Sequence, residues 1–319
     1  MRTITQAQAD LVDAVVAEKD VGGLTAAILE KDIHVTEALQ TLFAIRHPHI
    51  QFVFCGGTSL SKGHGVIERM SEDLDIKVIL ADAHEMSRTG VRKHLKDLKA
   101  LVDTAMHDSG FEQNRSGSVT RNEYRYFATD WRYQPRYEND TSLRAHLKLE
   151  FTIRTPAYPV QPAPIVALVD KFAQLPAMPI ELDCVAVEET LAEKVLSFLR
   201  RHAQHRSGNM ERDGDEALVR HIYDTYCIVK TDPEYIEKAK SHFGTLVAFD
   251  VGEFTQHGDF CRNPKACLTA TIDLARTENQ TQTEYQKKLL PLIYGNIKPS
   301  FADAFLVFED TSRALLSTL

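Results

Sequence analysis

The sequence predicts an α/β chain with a helical C-terminal part, and three patterns carry that prediction. Residues 73–80, Asp-Leu-Asp-Ile-Lys-Val-Ile-Leu, and 146–154, His-Leu-Lys-Leu-Glu-Phe-Thr-Ile-Arg, alternate apolar and polar side chains with the period of two that a half-buried strand requires. The glycine pair Gly56-Gly57, followed by Thr58-Ser59, joins an apolar run to a helical turn. From about Val187 onward, apolar residues recur at helical spacing.

In chain order, residues 5–46 read as helical, with Val35, Leu39, Leu42 and Phe43 forming one apolar stripe, and Pro48 closes the segment. Gln51–Cys55 is the first strand. A helix over about Ser87–Asp108 carries Arg88, Arg92, Lys93, Lys96 and Lys99 on a basic surface. Thr155–Pro164 holds four prolines in nine residues, which favours extended chain and marks a boundary. The expected division is therefore a domain over 1–165 and a mainly helical domain over 166–319, ending in a helix with Phe301, Phe305, Phe308 and Leu315. No repeat or low-complexity tract interrupts this order.

With 319 residues, 43% hydrophobic and 26% charged, the chain is an ordinary globular sequence. No apolar run approaches the roughly 18 residues of a membrane span, and the N-terminus has no signal-peptide core. The five cysteines, Cys55, Cys184, Cys227, Cys261 and Cys267, are odd in number and scattered, which indicates neither a disulfide framework nor a zinc site. These features read as a cytoplasmic, reducing setting. A net charge of −8 argues against sequence-independent nucleic-acid binding by the whole surface, though local patches can still do it.

The chemistry concentrates between Cys55 and Lys77. A Gly-Gly-Thr-Ser turn opening a helix aims backbone N–H groups at an anion. Asp73 and Asp75, two apart on a strand, share one face with Lys77 and would repel unless a cation lay between them; hard oxygen ligands suit Mg2+ or Mn2+. The second alternating strand supplies a third carboxylate, Glu150, on its polar face with His146, Lys148 and Thr152. A phosphate-binding turn with a carboxylate pair is the layout of nucleotidyl transfer, in which in-line placement and charge neutralisation do most of the work.

Five segments together resemble the AbiEii/AbiGii-type toxin nucleotidyltransferases, a branch of the DNA polymerase β-like superfamily: Glu30-Lys-Asp32 through Glu37, Gly56-Gly-Thr-Ser-Leu-Ser-Lys62, Arg69-Met-Ser71-Glu-Asp73-Leu-Asp75, Glu189 through Lys194, and Arg220 through Asp224. The matches run in the family's order over about residues 30–230. The resemblance implies a polymerase β-like fold with a mixed sheet flanked by helices. It implies that Gly56, Gly57, Thr58 and Ser59 hold a nucleoside triphosphate, supported by Lys62, Arg69 and Ser71; that Asp73, Asp75 and Glu150 bind the metal; and that Lys194 and Asp224 reach the active site from the helical part. Without the resemblance, Lys194 is an ordinary helix lysine and Asp224 a surface ion-pair partner. A separately encoded antitoxin, a toxin or phage-defence role and an RNA acceptor such as a tRNA 3′ end are further implications.

Two sequence features bear on the acceptor. Arg115, Arg121, Arg125, Arg132 and Arg136 alternate with Tyr124, Tyr126, Trp131, Tyr133 and Tyr137, a mixture that stacks on bases and pairs with phosphates; the same residues also fit a twisted hairpin with a solvated face. A basic run, Arg200 to Arg206, follows Lys194 and equally fits a solvated helix end. A small-molecule acceptor, as in antibiotic-modifying nucleotidyltransferases, and a catalytically silent nucleotide-binding module are the competing readings; three carboxylates facing a triphosphate weigh against the latter.

Overall fold

A computed structural model describes residues 1–19, 21–81, 85–138, 144, 146–176, 179–207 and 218–319. The chain divides into two compact units. The first comprises Met1–Gly65, Met70–Pro156 and Val160–Val185, and the second Val66–Arg69, Ala157–Pro159 and Ala186–Leu319.

The first unit contains helices α1 (Gln6–Glu18), α2 (Ala26–Phe43), α3 (Gly56–Lys62), α4 (Arg88–Asp108) and α5 (Leu168–Ala173). Its strands are β1 (Ile50–Cys55), β2 (Asp73–Leu80), β3 (Glu112–Arg121), β4 (Tyr126–Arg132), β5 (His146–Ile153), β6 (Gln161–Ile165) and β7 (Ile180–Cys184). Among the described residues the strands form one seven-stranded sheet, ordered β3-β4-β5-β2-β1-β7-β6. β2 runs parallel to β5 and β1 to β7, and the remaining neighbours are antiparallel. One face is core: Phe52 and Phe54, Leu74, Ile76 and Val78, and Leu147, Leu149 and Phe151 pack with Val35, Ala38, Leu39 and Leu42 of α2 and Leu98, Val102 and Met106 of α4. The period of two then turns the intervening polar residues of β2 and β5 to the other face.

Three expectations change. The helical stretch 5–46 is two helices: Gly22 and Gly23 take left-handed backbone (φ 62° and 88°), and Thr25 caps α2 by accepting the Ile28 N–H at 3.3 Å. The proline tract does not end the first unit at 165. Pro162 and Pro164 lie in the sheet's edge strand β6, opposite Asp183 and Glu181, and an edge strand tolerates proline because one row of its N–H groups needs no partner; the unit continues through β7 to Val185. The Arg/Tyr segment is a hairpin, β3–β4, whose Trp131 is buried in the core with the following Tyr133.

The second unit is helical, with α6 (Val187–Arg206), α7 (Val219–Thr231), α8 (Glu234–Glu253), α9 (Gly258–Arg262), α10 (Pro264–Thr277), α11 (Asn279–Glu284) and α12 (Phe301–Leu316). α6 packs against α7, α8 and α10, and α12 against the same three helices. Phe198 of α6 meets Phe308 of α12 edge to face at 4.8 Å. Val66–Arg69 joins this unit through Glu68, whose carbonyl accepts the N–H groups of Tyr294 (3.0 Å) and Gly295 (3.1 Å). Among the described residues, no helix is long and apolar enough to cross a membrane.

Candidate active site

The polar face of β2 and β5 brings the three sequence-selected carboxylates of the first unit together. Asp75 is the direct register partner of Glu150 in the parallel β2–β5 pair, and Asp73 that of Lys148, so the carboxylates stand on adjoining strands about 4.8 Å apart. Asp73 ion-pairs with Arg144, and Glu150 with Lys148. Glu150 also accepts the Tyr126 hydroxyl at 3.1 Å. Burial pushes the Asp73 carboxyl above its ordinary range; the charge of Arg144 opposes this without cancelling it, and Glu72 and Glu150 add to it. Burial alone would lower Lys148, but its hydrogen bond and charge contact with Glu150 hold it above its ordinary value. The Tyr126 hydroxyl is raised by burial and by the charge of Glu150, so it stays a donor.

The glycine turn sits directly beside this face. Cys55, the last residue of β1, pairs with Asp75, and Gly56 then turns left-handed at φ 76° to start α3. A Cβ on Gly56 would collide with Asp75 Oδ2. Gly56 therefore serves two needs, a backbone conformation that L side chains avoid and the close approach of a carboxylate. Thr58 Oγ1 lies 2.5 Å from the Asp73 carbonyl, to which it donates, and 2.9 Å from Ser71 Oγ. These bonds tie the start of α3 to the start of β2. Gly57 and Ser59 are buried within the same short helix.

Lys62 does not point to open solvent. Its ammonium contacts Asp32 Oδ1 at 2.6 Å with its side chain only 2% exposed, while Asp32 Oδ2 accepts the Leu168 N–H at 2.6 Å. Lys62 thus joins α3 to α2 and the start of α5. Asp32 belongs to a run whose role the sequence left unassigned. Glu30 accepts the backbone N–H groups of Arg136 (2.8 Å) and Tyr137 (3.1 Å). Lys31 pairs with Glu72 and donates to the Arg144 carbonyl at 2.6 Å. Three consecutive charged residues are buried on α2, each with a partner from a different segment around the carboxylate face. Their signal in the sequence was charge at consecutive positions of a helix whose apolar spacing already demanded burial. Lys148 was marked by the alternation that puts it on the face of Glu150, whereas Arg144 and Tyr126, the other immediate partners of the carboxylates, had no such signal.

In the second unit Arg69, Lys194 and Asp224 come together. Arg69 grips Asp224 with two parallel bonds of 2.7 Å, and Lys194 Nζ reaches Asp224 Oδ2 at 2.7 Å. Burial alone would raise the Asp224 carboxyl, but the charges of Arg69 and Lys194 hold it well below the usual carboxylate range. Neither Lys194 nor Asp224 is a surface residue, at 6% and 0% exposure. Beside them His221 is kept neutral, chiefly by burial and secondarily by Lys194.

A family model described as nucleotidyl transferase AbiEii toxin of a type IV toxin–antitoxin system matches residues 37–307, most of the chain. The chain belongs to that family. It is accordingly a nucleotidyltransferase, a toxin of the type IV class. Among solved structures, MenT4, a nucleotidyltransferase toxin from Mycobacterium tuberculosis H37Rv, aligns over 98% of this chain and 89% of its own, with 19% identity and a TM-score of 0.49, a likeness too weak to argue from. None of the curated proteins matches the chain.

The carboxylate face of this AbiEii member suits a divalent cation by its donor chemistry: three carboxylates stand on adjoining strands, and burial holds the Asp73 carboxyl above its ordinary range. Among the described residues, no three His, Cys, Asp or Glu side chains are already gathered tightly enough to hold an ion. Arg144 and Lys148 occupy the positions of positive charge instead.

Proposed function

We propose that this AbiEii-family enzyme transfers a nucleoside monophosphate from an NTP to a hydroxyl of RNA, such as a tRNA 3′ end, with Mg2+ or Mn2+ held by Asp73, Asp75 and Glu150. The observation that carries the reading is the direct β2–β5 register of Asp75 with Glu150, with Asp73 on the same face. The bound cation would neutralise triphosphate charge and favour deprotonation of the acceptor hydroxyl. The chain's own groups then have assignable tasks. Glu150, held by Tyr126 and Lys148, would take the hydroxyl proton. The acceptor oxygen bonds to the α-phosphorus as the bond to the bridging oxygen breaks, and pyrophosphate leaves. Backbone N–H groups of the Gly56–Ser59 turn bind phosphate oxygens, with Ser71 orienting the turn through Thr58. Lys62 steadies that turn from Asp32, while Arg69, Lys194 and Asp224 hold one another as a buried ion-pair cluster within the second unit. We further propose action in the cytoplasm, control by a separately encoded antitoxin and a part in phage defence.

The test is incubation of the purified chain with each labelled NTP, Mg2+ and total RNA, resolved on a gel. Label should enter RNA, disappear with EDTA and be absent for Asp75→Asn. Transfer to a small-molecule fraction with none to RNA would replace the acceptor and leave the chemistry. Transfer undiminished in EDTA would remove the metal.

A further inference from the structure

At the opposite end of β1 from Asp75, three histidines meet. His47 and His49 flank Pro48 just before β1, and His94 projects from α4. Their ring centroids lie 6.1 Å apart for His47–His49, 5.7 Å for His47–His94 and 5.2 Å for His49–His94. Three imidazoles sharing one tetrahedral ion, with metal–nitrogen bonds of about 2.0–2.1 Å, have centroids roughly 5–5.5 Å apart. The observed triangle is therefore within about an ångström of the bound arrangement on every side. Asp97, one turn beyond His94 on α4, is near enough for its charge to act on His47. His47 also lines a cavity of about 340 Å³ together with Arg46, Gln51, Glu181 and Asp183 among others.

We propose that His47, His49 and His94, with Asp97 beside them, bind a transition-metal ion of the zinc class. Imidazole donors select zinc, nickel or copper over magnesium, so this ion differs in kind from one held by the carboxylate face. As placed, the rings do not yet converge on a common centre. Binding would rotate them about their side-chain torsions and release the long 3.2 Å bond from the His49 N–H to His47 Nδ1. β1 spans Ile50–Cys55, so the ion would sit about 17 Å from the carboxylates and would clamp α4 to the entry of the sheet rather than take part in transfer.

The 319-residue chain is stripped with EDTA, dialysed into excess Mg2+ and titrated with ZnCl2 by calorimetry, and with CoCl2 by visible absorption. The expected result is one zinc per chain, bound at micromolar Kd or tighter, with the intense visible bands of a tetrahedral nitrogen-ligated cobalt ion. Affinity should fall at least 10-fold in His94→Ala and in His47→Ala, and stay unchanged in Asp75→Asn. His94→Asn is measured in parallel, with circular dichroism on every variant, so that a folding defect cannot pass for ligand loss. No zinc binding by the wild type, binding as tight in both His94 variants as in the wild type, or loss in Asp75→Asn would each overturn the proposal.

Discussion

Asp73 is ionised at a cost. Its carboxyl is pushed up by burial despite Arg144, so ionisation is less favourable in the folded chain than in the unfolded one. Below the ordinary carboxylate pKa both states are protonated and the folded state bears no penalty. As pH rises through the folded value, that stability is lost. Asp73→Asn should therefore melt higher than wild type at neutral pH, with the gap closing by about pH 4, and Mg2+ should raise the wild-type Tm but not the variant's; transfer should fall by about 10³-fold or more. Calorimetric melts over a pH series, with and without Mg2+, read this out, and a variant that melts lower at neutral pH would place Arg144's attraction above the desolvation penalty. Glu37 has the opposite sign. Burial would raise it, but His34 at 3.7 Å, Arg2 at 2.8 Å and Gln8 at 3.0 Å hold it down to about 2. Its contribution is present above about pH 4.5 and is lost as pH falls toward 2, so Glu37→Gln should destabilise at pH 7 and match the wild type near pH 2 in urea unfolding.

The short helix α3 is fastened at both ends, by Thr58 to β2 and by Lys62 to Asp32. Removing one member of a buried ion pair strands the other charge, so Lys62→Ala should cost about 3–5 kcal/mol in denaturant unfolding. Asp32→Ala should cost a similar amount, and the double variant less than the sum. If Lys62 instead acted mainly on the triphosphate, KM for NTP would rise with stability unchanged. Gly56→Ala probes the other side of the turn: left-handed strain on the order of 1–2 kcal/mol and a collision with Asp75 should together lower transfer far more than the strain alone lowers Tm. Much of this architecture was legible in the sequence. The alternation in β2 and β5 survives because one face of each is packed and the other polar, and helical spacing from Val187 marked the start of α6. β4 was not legible in detail, because both of its faces are covered and Phe127–Trp131 is buried throughout, which erases the period that would have separated core from surface. β6 was hidden by prolines that only an edge strand accepts. The partners of the charged residues, Lys62 with Asp32 and Asp224 with Arg69 and Lys194, join segments 30 to 155 positions apart, and no local pattern encodes them.

For the molecule as a whole, a net charge of −8 repels a polyanion, so any RNA contact has to be local. The β3–β4 hairpin offers exposed Arg115, Arg121, Arg125 and Arg132, but its aromatic residues are largely committed. Trp131 and Tyr133 are core, Tyr126 is bonded to Glu150, and the Tyr137 hydroxyl donates to Asp13 at 2.8 Å. Such a surface pairs with phosphates more than it stacks on bases, which predicts strong salt dependence and weak base preference. Arg121→Glu with Arg125→Glu should weaken RNA binding and reduce the slope of log K against log salt by roughly 0.7–0.9 for each phosphate that the variant no longer neutralises, while NTP affinity stays unchanged. Filter binding across a salt series with a tRNA and an unrelated RNA measures both features at once. A slope unchanged by the double reversal would move the acceptor off the hairpin, and a wild-type protein with no salt-dependent RNA affinity would remove RNA as the acceptor without touching the carboxylate face on which the proposed transfer chemistry rests.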